Sequence, residues 1–177
     1  MANDASVIAE PTDQRPETGS EREEQLAKVL TGRVPFFDGL TPEALAMIAH
    51  VTTEETHAYG QRLFQYGDPG DKLYIILEGK VRISREVGGM GEEALAVLGP
   101  GEVFGEMALL DESPRSAGAL AHERCRLLVI TKDAFDDLLF LHKDLAYEVL
   151  WSCVRMLATR LRETNDKLTF LSTSGRF

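Results

Sequence analysis

Between Thr52 and Thr131 the chain is cut by glycine turns into apolar pieces too short for helices, and this punctuation constrains the fold most. "QRLFQY" leads into "GDPGD", "KLYIILEGKVRISREV" into "GGMG", and "EEALAVLGPGEVFGE" is followed later by "CRLLVI". "VRISREV" alternates as a half-buried strand does, and "GGMG" joins two such runs as a hairpin. Several strands at this spacing predict a small antiparallel sandwich or barrel. The flanking segments carry a helical period. The fold class is therefore α+β: an antiparallel β-roll or jelly-roll barrel between N-terminal helices and a long C-terminal helix.

The boundaries follow from the changes of period. Residues 1–20 are polar, proline-containing and aperiodic, so a disordered acidic tail is expected there. N-terminal helices are expected over 21–50, the barrel over 51–132 and C-terminal helices over 133–172. Ser20 and Glu23 have the spacing of a capping box, opening a helix through "EREEQLAKVLTG" that ends at Gly32. Thr41 and Pro42 read as the N-cap and first residue of a second helix, with Leu45, Ile48 and Ala49 on its apolar face. "KDAFDDLLFLH" is a short amphipathic helix, and a long one starts near Lys143. Along it Leu150, Val154, Leu157, Leu161, Thr164, Leu168 and Leu171 step by four and three in turn. That is a coiled-coil seam with one polar position, Thr164, and its simplest use is pairing with a second copy of the chain. Packing on its own domain accounts only for the first turns.

Composition sets limits on function. A chain of 177 residues holds one well-cored domain and an appendage. The net charge of -10 and pI of about 4.9 argue against a nucleic-acid partner, which needs clustered Lys and Arg. The first 24 residues carry seven acids and two bases, about half of that excess. Cys125 and Cys153 lie among apolar residues without CxxC spacing, as buried reduced thiols do, a disulfide being the less favoured alternative. The acidic N-terminus has no apolar signal-peptide core and no uncharged run reaches a membrane span, so a soluble cytoplasmic protein is expected, with no membrane partner. His50, His57, His122 and His142 are scattered without metal-ligand spacing, and no nucleophile elbow or Walker loop is present. The expectation is no enzyme, no metal and no cofactor.

One segment carries opposite charges in an apolar frame. "FGEMALLDESPRSAGAL" holds Glu106 and, nine residues on, Arg115. A simple salt bridge between them is one reading. Three stretches together, "GDPGDKLYIILEGKVRI", "LGPGEVFGEMALL" and "PRSA", resemble the cyclic nucleotide-binding domain family, with the Glu-to-Arg spacing of the kinase-type phosphate-binding cassette. The resemblance runs from about Val34 onwards, "VPFFDGL" being similar to the family's helical lead-in. It implies a cassette over 104–117 and a cyclic nucleotide as ligand.

The side-chain chemistry suits such a ligand. Glu106 can accept a ribose 2'-hydroxyl, and the planar fork of Arg115 can take the cyclic phosphate. Phe104 and Gly105 precede the acid, and glycine lets a ligand approach the backbone. "EMALL" can form one helical turn whose N–H groups at Met107 and Ala108 face an anion. Pro114 sets the chain direction into Arg115, the Ser116 hydroxyl can donate to phosphate, and so can the Ala117 N–H. The turns "GDPGD" and "LGPG" are expected to shape the barrel and touch no ligand.

The C-terminal stretch "TRLRETNDKLTFLSTSGRF" resembles the dimer helix of the activator-type members. Aligned on it, Arg160, Thr164 and Asn165 fall where that helix approaches the ligand and reads an adenine amine. Thr164 has a second reading, tuning helix register, and Arg160 has one as a surface charge. Departures are Gly118 after "PRSA" and Ser116, a hydroxyl that favours guanine in other members. Thr164 favours adenine, so cAMP is expected ahead of cGMP or a cyclic dinucleotide. Activator-type members continue into a helix-turn-helix domain, and this sequence stops at "STSGRF" with no second basic helical pair. The expectation is a homodimeric, non-catalytic receptor acting through an unidentified protein effector, the alternative being a degenerate interaction module without nucleotide.

Overall fold

The computed structural model describes residues 19–88 and 91–174. Residues 1–18 of the expected acidic tail and residues 89–90 at the centre of the "GGMG" loop therefore lie outside the described residues. Helices α1 (Gly19–Leu30) and α2 (Pro42–His50), linked through a 3-10 turn at Pro35–Phe37, precede the strands. Strands β1 (Thr53–His57), β2 (Arg62–Phe64), β3 (Lys72–Glu78), β4 (Val81–Val87), β5 (Gly91–Leu98) and β6 (Val103–Phe104) lead to a five-residue helix, α3 (Glu106–Leu110). Then come β7 (Gly118–Ala121), β8 (Cys125–Thr131), α4 (Lys132–Leu141) and α5 (Lys143–Ser174). The strands form two antiparallel four-stranded sheets, β1-β8-β3-β6 and β2-β7-β4-β5. This is the expected α+β class with helices at both ends.

Strand β3 shows why its sequence is apolar on both faces. Leu73 and Ile75 pack towards the helices, together with Leu128 and Ile130 of β8. Tyr74 and Ile76 point between the sheets, beside Leu127 and Val129. A sheet covered on both sides cannot alternate polar and apolar residues. In the other sheet "VRISREV" departs from the expected alternation: Val81 and Ser84 are buried, Arg82 and Ile83 half-buried, and the register shifts between Ile83 and Ser84.

Two strands were absent from the sequence reading. β1, "TEETH", carries two carboxylates and no large apolar residue, and β7 is "GALA". Each takes its strand conformation from its partner: β1 pairs along β8 from Thr53↔Val129 to His57↔Cys125, and β7 lies between β2 and β4. "QRLFQY" shortens to Arg62–Phe64, and "EEALAVLGPGEVFGE" divides into β5 and β6 around the "GPG" turn.

The second helix starts as expected, Thr41 Oγ1 accepting from the Ala44 N–H at 3.2 Å with Pro42 next. Its face of Leu45, Ile48 and Ala49 is buried. Helix α1 begins at Gly19, ahead of the expected cap, and the Ser20 side chain lies outside the described residues. Glu23, its expected capping-box partner, shares a hydrogen bond of 2.8 Å with His50 Nδ1 and so ties α1 to α2.

Helix α5 has two apolar faces. Leu145, Val149 and Cys153 are buried against the domain with Met156 packed beside them. On the other face Leu150, Val154, Leu161, Leu168 and Leu171 are exposed, as is Thr164, while Leu157 is half-buried. The exposed Tyr147 extends that seam one step towards the N-terminus, which the sequence reading missed. Both cysteines are free and buried. Among the described residues no helix is long and apolar enough to cross a membrane.

Candidate nucleotide-binding site

The segment from β6 through α3 to β7 wraps a pair of buried charges. Val103 and Phe104 form β6 on the edge of β3, which brings the next residues against the sheet. Gly105 turns the chain with φ of +80°, a conformation that favours glycine. A Cβ there would also stand 2.7 Å from Arg115 Nη1 and 3.0 Å from the Lys72 carbonyl. The glycine expected for ligand approach thus serves first to admit Arg115.

Glu106 starts α3 and is 2% exposed. Its Oε1 accepts from Arg160 Nη1 at 2.6 Å, and the other arm of that guanidinium donates to the Val103 carbonyl. Arg160 comes from α5, 54 residues away, and is neither a bare surface charge nor remote from the cassette. The structure thereby rejects the simple pairing of Glu106 with Arg115, because each carboxylate and guanidinium has found other company.

Arg115 is also 2% exposed. Its Nη1 donates to the Gly105 carbonyl at 2.9 Å, and Nη2 lies 3.6 Å from Asp71 Oδ1. The guanidinium stacks over Phe64 at 4.2 Å and faces Tyr74 at 5.9 Å. Nε has no hydrogen-bond partner. Burial pulls the guanidinium below its ordinary pKa, against the opposing pull of Tyr74, Asp71, Asp68 and Glu106. Backbone bonds lock the residue in place: its N–H donates to the Asp68 carbonyl and its carbonyl accepts from the Gly67 N–H, both at 2.9 Å. A buried cation with an unmet N–H is costly unless something anionic completes it.

The remaining predicted residues sort by position. Phe104 is buried and stacked on Tyr74, centroids 4.9 Å apart and planes 9° from parallel, so it belongs to the floor beneath Arg115. Ala108 and Ala117 are buried, whereas Met107 and Ser116 are exposed and joined by a Ser116 Oγ to Met107 Sδ contact of 3.7 Å. Thr164 and Asn165 are exposed on α5, one turn beyond Arg160. The Thr164 hydroxyl donates to the Arg160 carbonyl at 2.8 Å. Among the described hydrogen bonds none runs from either residue to the cassette.

The sequence reading missed Phe64, Tyr74 and Asp71, the shelf and flank of Arg115. The "GDPGD" turn, expected to shape the barrel and touch no ligand, also packs on the cassette. A Cβ on Gly70 of that turn would lie 2.0 Å from the Ala108 Cβ, so the turn is a wall of the cassette. Its signal was in the spacing, since only glycine lets two backbones approach that closely.

Two grooves of about 400 and 550 Å³ lie elsewhere, beside Trp151 and between α1 and the β3 end, and neither includes a cassette residue. Among the described residues no cluster of three or more His, Cys, Asp or Glu is placed to hold a metal.

The cyclic nucleotide-binding domain family model matches residues 54–142. The chain is 41% identical over 138 residues to a cyclic AMP receptor protein of Thermus thermophilus, covering 78% of this chain and 62% of that one. It is 32% identical over 150 residues to a CRP-like cAMP-activated global transcriptional regulator of Mycobacterium tuberculosis, covering 83% and 65%. This chain therefore spans less than two thirds of either relative. A solved cyclic nucleotide-binding domain from Methylobacillus flagellatus superposes with a TM-score of 0.74 at 26% identity, covering 85% of this chain and 84% of that one. With a family match across half its length and the cassette geometry in place, the chain belongs to the cyclic nucleotide-binding domain family.

Proposed function

We propose that this chain is a homodimeric cAMP receptor with no catalytic step, which passes its ligand state to a protein partner. The observation that carries the reading is the burial of Glu106 and Arg115 in one cassette without pairing to each other. Arg115 takes the cyclic phosphate, completing its orphan Nε, with Ser116 and the backbone N–H groups of Met107, Ala108 and Ala117 around it. Glu106 accepts the ribose 2'-hydroxyl while keeping Arg160.

Adenine is favoured by the state of Thr164. Its hydroxyl proton is committed to the Arg160 carbonyl, which leaves lone pairs outward. Lone pairs accept from the adenine exocyclic amine and repel the guanine carbonyl oxygen. Asn165 sits beside it for the same base. The exposed seam from Leu150 to Leu171 supports the homodimer, in which α5 of one copy reaches the base held by the other. The buried reduced thiols suit a cytoplasmic setting. The acidic net charge favours a protein over a nucleic acid as the contact of these 177 residues.

Arg160 is the link between ligand and helix. Any movement of Glu106 on ligand binding is transmitted to α5, and the helix position biases the two states differently. Calorimetry with cAMP, cGMP and a cyclic dinucleotide tests the reading. Micromolar or tighter cAMP binding is expected in the wild type and its loss in Arg115→Ala. No heat with any of the three would leave an interaction module without a nucleotide.

A further inference from the structure

Met107 stands out among the sulfur-bearing side chains. It is 44% exposed, although its chain neighbours Glu106 and Ala108 are buried. Met47 and Met156, the other methionines among the described residues, are half-buried and packed on the core. Cys125 and Cys153 are buried, and burial pushes the Cys153 thiol up to about 12 and raises that of Cys125. Neither cysteine offers the accessible thiolate that oxidants attack. The most accessible described sulfur therefore lies at the mouth of the cassette, and its hydrogen-bond partner is the Ser116 hydroxyl.

We propose that Met107 is a peroxide-sensitive modification site, and that its oxidation to the sulfoxide weakens nucleotide binding at the adjoining cassette. The binding half of this inference rests on the receptor reading above. A thioether is a weak acceptor, so Ser116 leaves it readily for a phosphate oxygen. In the modification step a sulfur lone pair attacks one oxygen of hydrogen peroxide. The O–O bond breaks as the S–O bond forms, and the departing hydroxide and the remaining proton leave as water. Sulfur is oxidised by two electrons and the peroxide is reduced. The product is polar where the thioether was apolar. Its oxygen holds the Ser116 hydroxyl and adds negative character beside the bound anion. Both effects act against the phosphate.

The test exposes the full chain to hydrogen peroxide, locates the added oxygen by peptide mass spectrometry, and titrates cAMP calorimetrically before and after. The readout is the after-to-before affinity ratio within each protein, so any effect of a substitution on the starting affinity cancels. Oxygen is expected on Met107 ahead of Met47 and Met156, with cAMP affinity in the wild type falling roughly tenfold, the scale of one charge-assisted hydrogen bond. The ratio should stay near one in Met107→Leu and lie between one and the wild-type value in Ser116→Ala. Equal ratios in wild type and Met107→Leu, or oxygen arriving first on Met47 or Met156, would overturn the proposal. Wild type that binds no cAMP before peroxide defeats the receptor reading and the binding half with it. Wild type that binds cAMP equally well after Met107 is oxidised defeats this inference alone.

Discussion

The cassette and the distal half of α5 invert the usual distribution of side chains in opposite ways. In the cassette Glu106 and Arg115 are charged and both 2% exposed, while on the helix Leu161 and Leu168 are apolar and 61% and 60% exposed. Soluble domains normally do the reverse. Each inversion costs free energy in the isolated chain, and under the proposed function each would be relieved by a different partner. Buried charges call for a small ion whose desolvation they offset. A bare apolar stripe calls for another stripe. Arg160 joins the two regions, since it sits on the helix and bonds the buried acid of the cassette.

The largest effect is expected at the stripe, because in the proposed homodimer twofold symmetry counts every substitution twice. Leu161→Glu removes two buried leucines from the dimer, at about 1.5–3 kcal/mol each, and places two like charges in one seam. Sedimentation equilibrium should show a dimer in the wild type and a monomer in the variant, with helix content unchanged. A wild type that is monomeric at all accessible concentrations would break the comparison at this end.

Arg115→Leu comes next. Two charge-assisted bonds to phosphate are worth about 3–6 kcal/mol together, partly offset because the free cassette no longer buries a cation. Affinity for cAMP should fall at least about a hundredfold. Stability of the ligand-free protein to urea should stay within about 1 kcal/mol, since an apolar side chain replaces a buried charge with an unmet N–H. A loss of several kcal/mol with no change in binding would make Arg115 a structural residue and dissolve the contrast.

How much of this was readable from residues alone follows the range of each interaction. Glu106, Arg115 and Ser116 could be singled out as candidates because one short segment carries them in a fixed frame. So could the seam, because a heptad step is local. Arg160 was legible as a position but not as a bond, since its contact with Glu106 depends on the phase and tilt of a helix 54 residues distant. The shelf of Phe64 and Tyr74 was invisible for a related reason: an aromatic residue in a strand reads as core whether or not a cation lies on it. Strand β1 was missed because "TEETH" takes its conformation from β8 and not from its own pattern.

Arg160→Gln cuts the link between the two regions and should have an intermediate effect. Glu106 keeps a neutral neighbour in place of a charged one, so ligand-free stability should drop by about 1–3 kcal/mol. Amide exchange should accelerate in α5 around residues 157–164 while the strands stay protected. If both regions kept their wild-type exchange, the tether would carry no coupling and ligand state would have to reach α5 by another route.

Thr164→Ala should have the smallest effect and the most specific one. In the proposed cAMP complex the hydroxyl would contribute a single neutral hydrogen bond to the base, worth about 0.5–1.5 kcal/mol. Its loss predicts cAMP affinity reduced by a few-fold to tenfold. It predicts no loss for cGMP, because the lone pairs removed were repelling the guanine oxygen. The same substitution adds a small apolar residue at a polar seam position, so dimerisation should hold or tighten slightly. The two readings of Thr164 therefore diverge in sign. A base-reading threonine costs cAMP selectivity and leaves the dimer intact. A register-setting threonine leaves the cAMP-to-cGMP ratio untouched and changes the helix pairing.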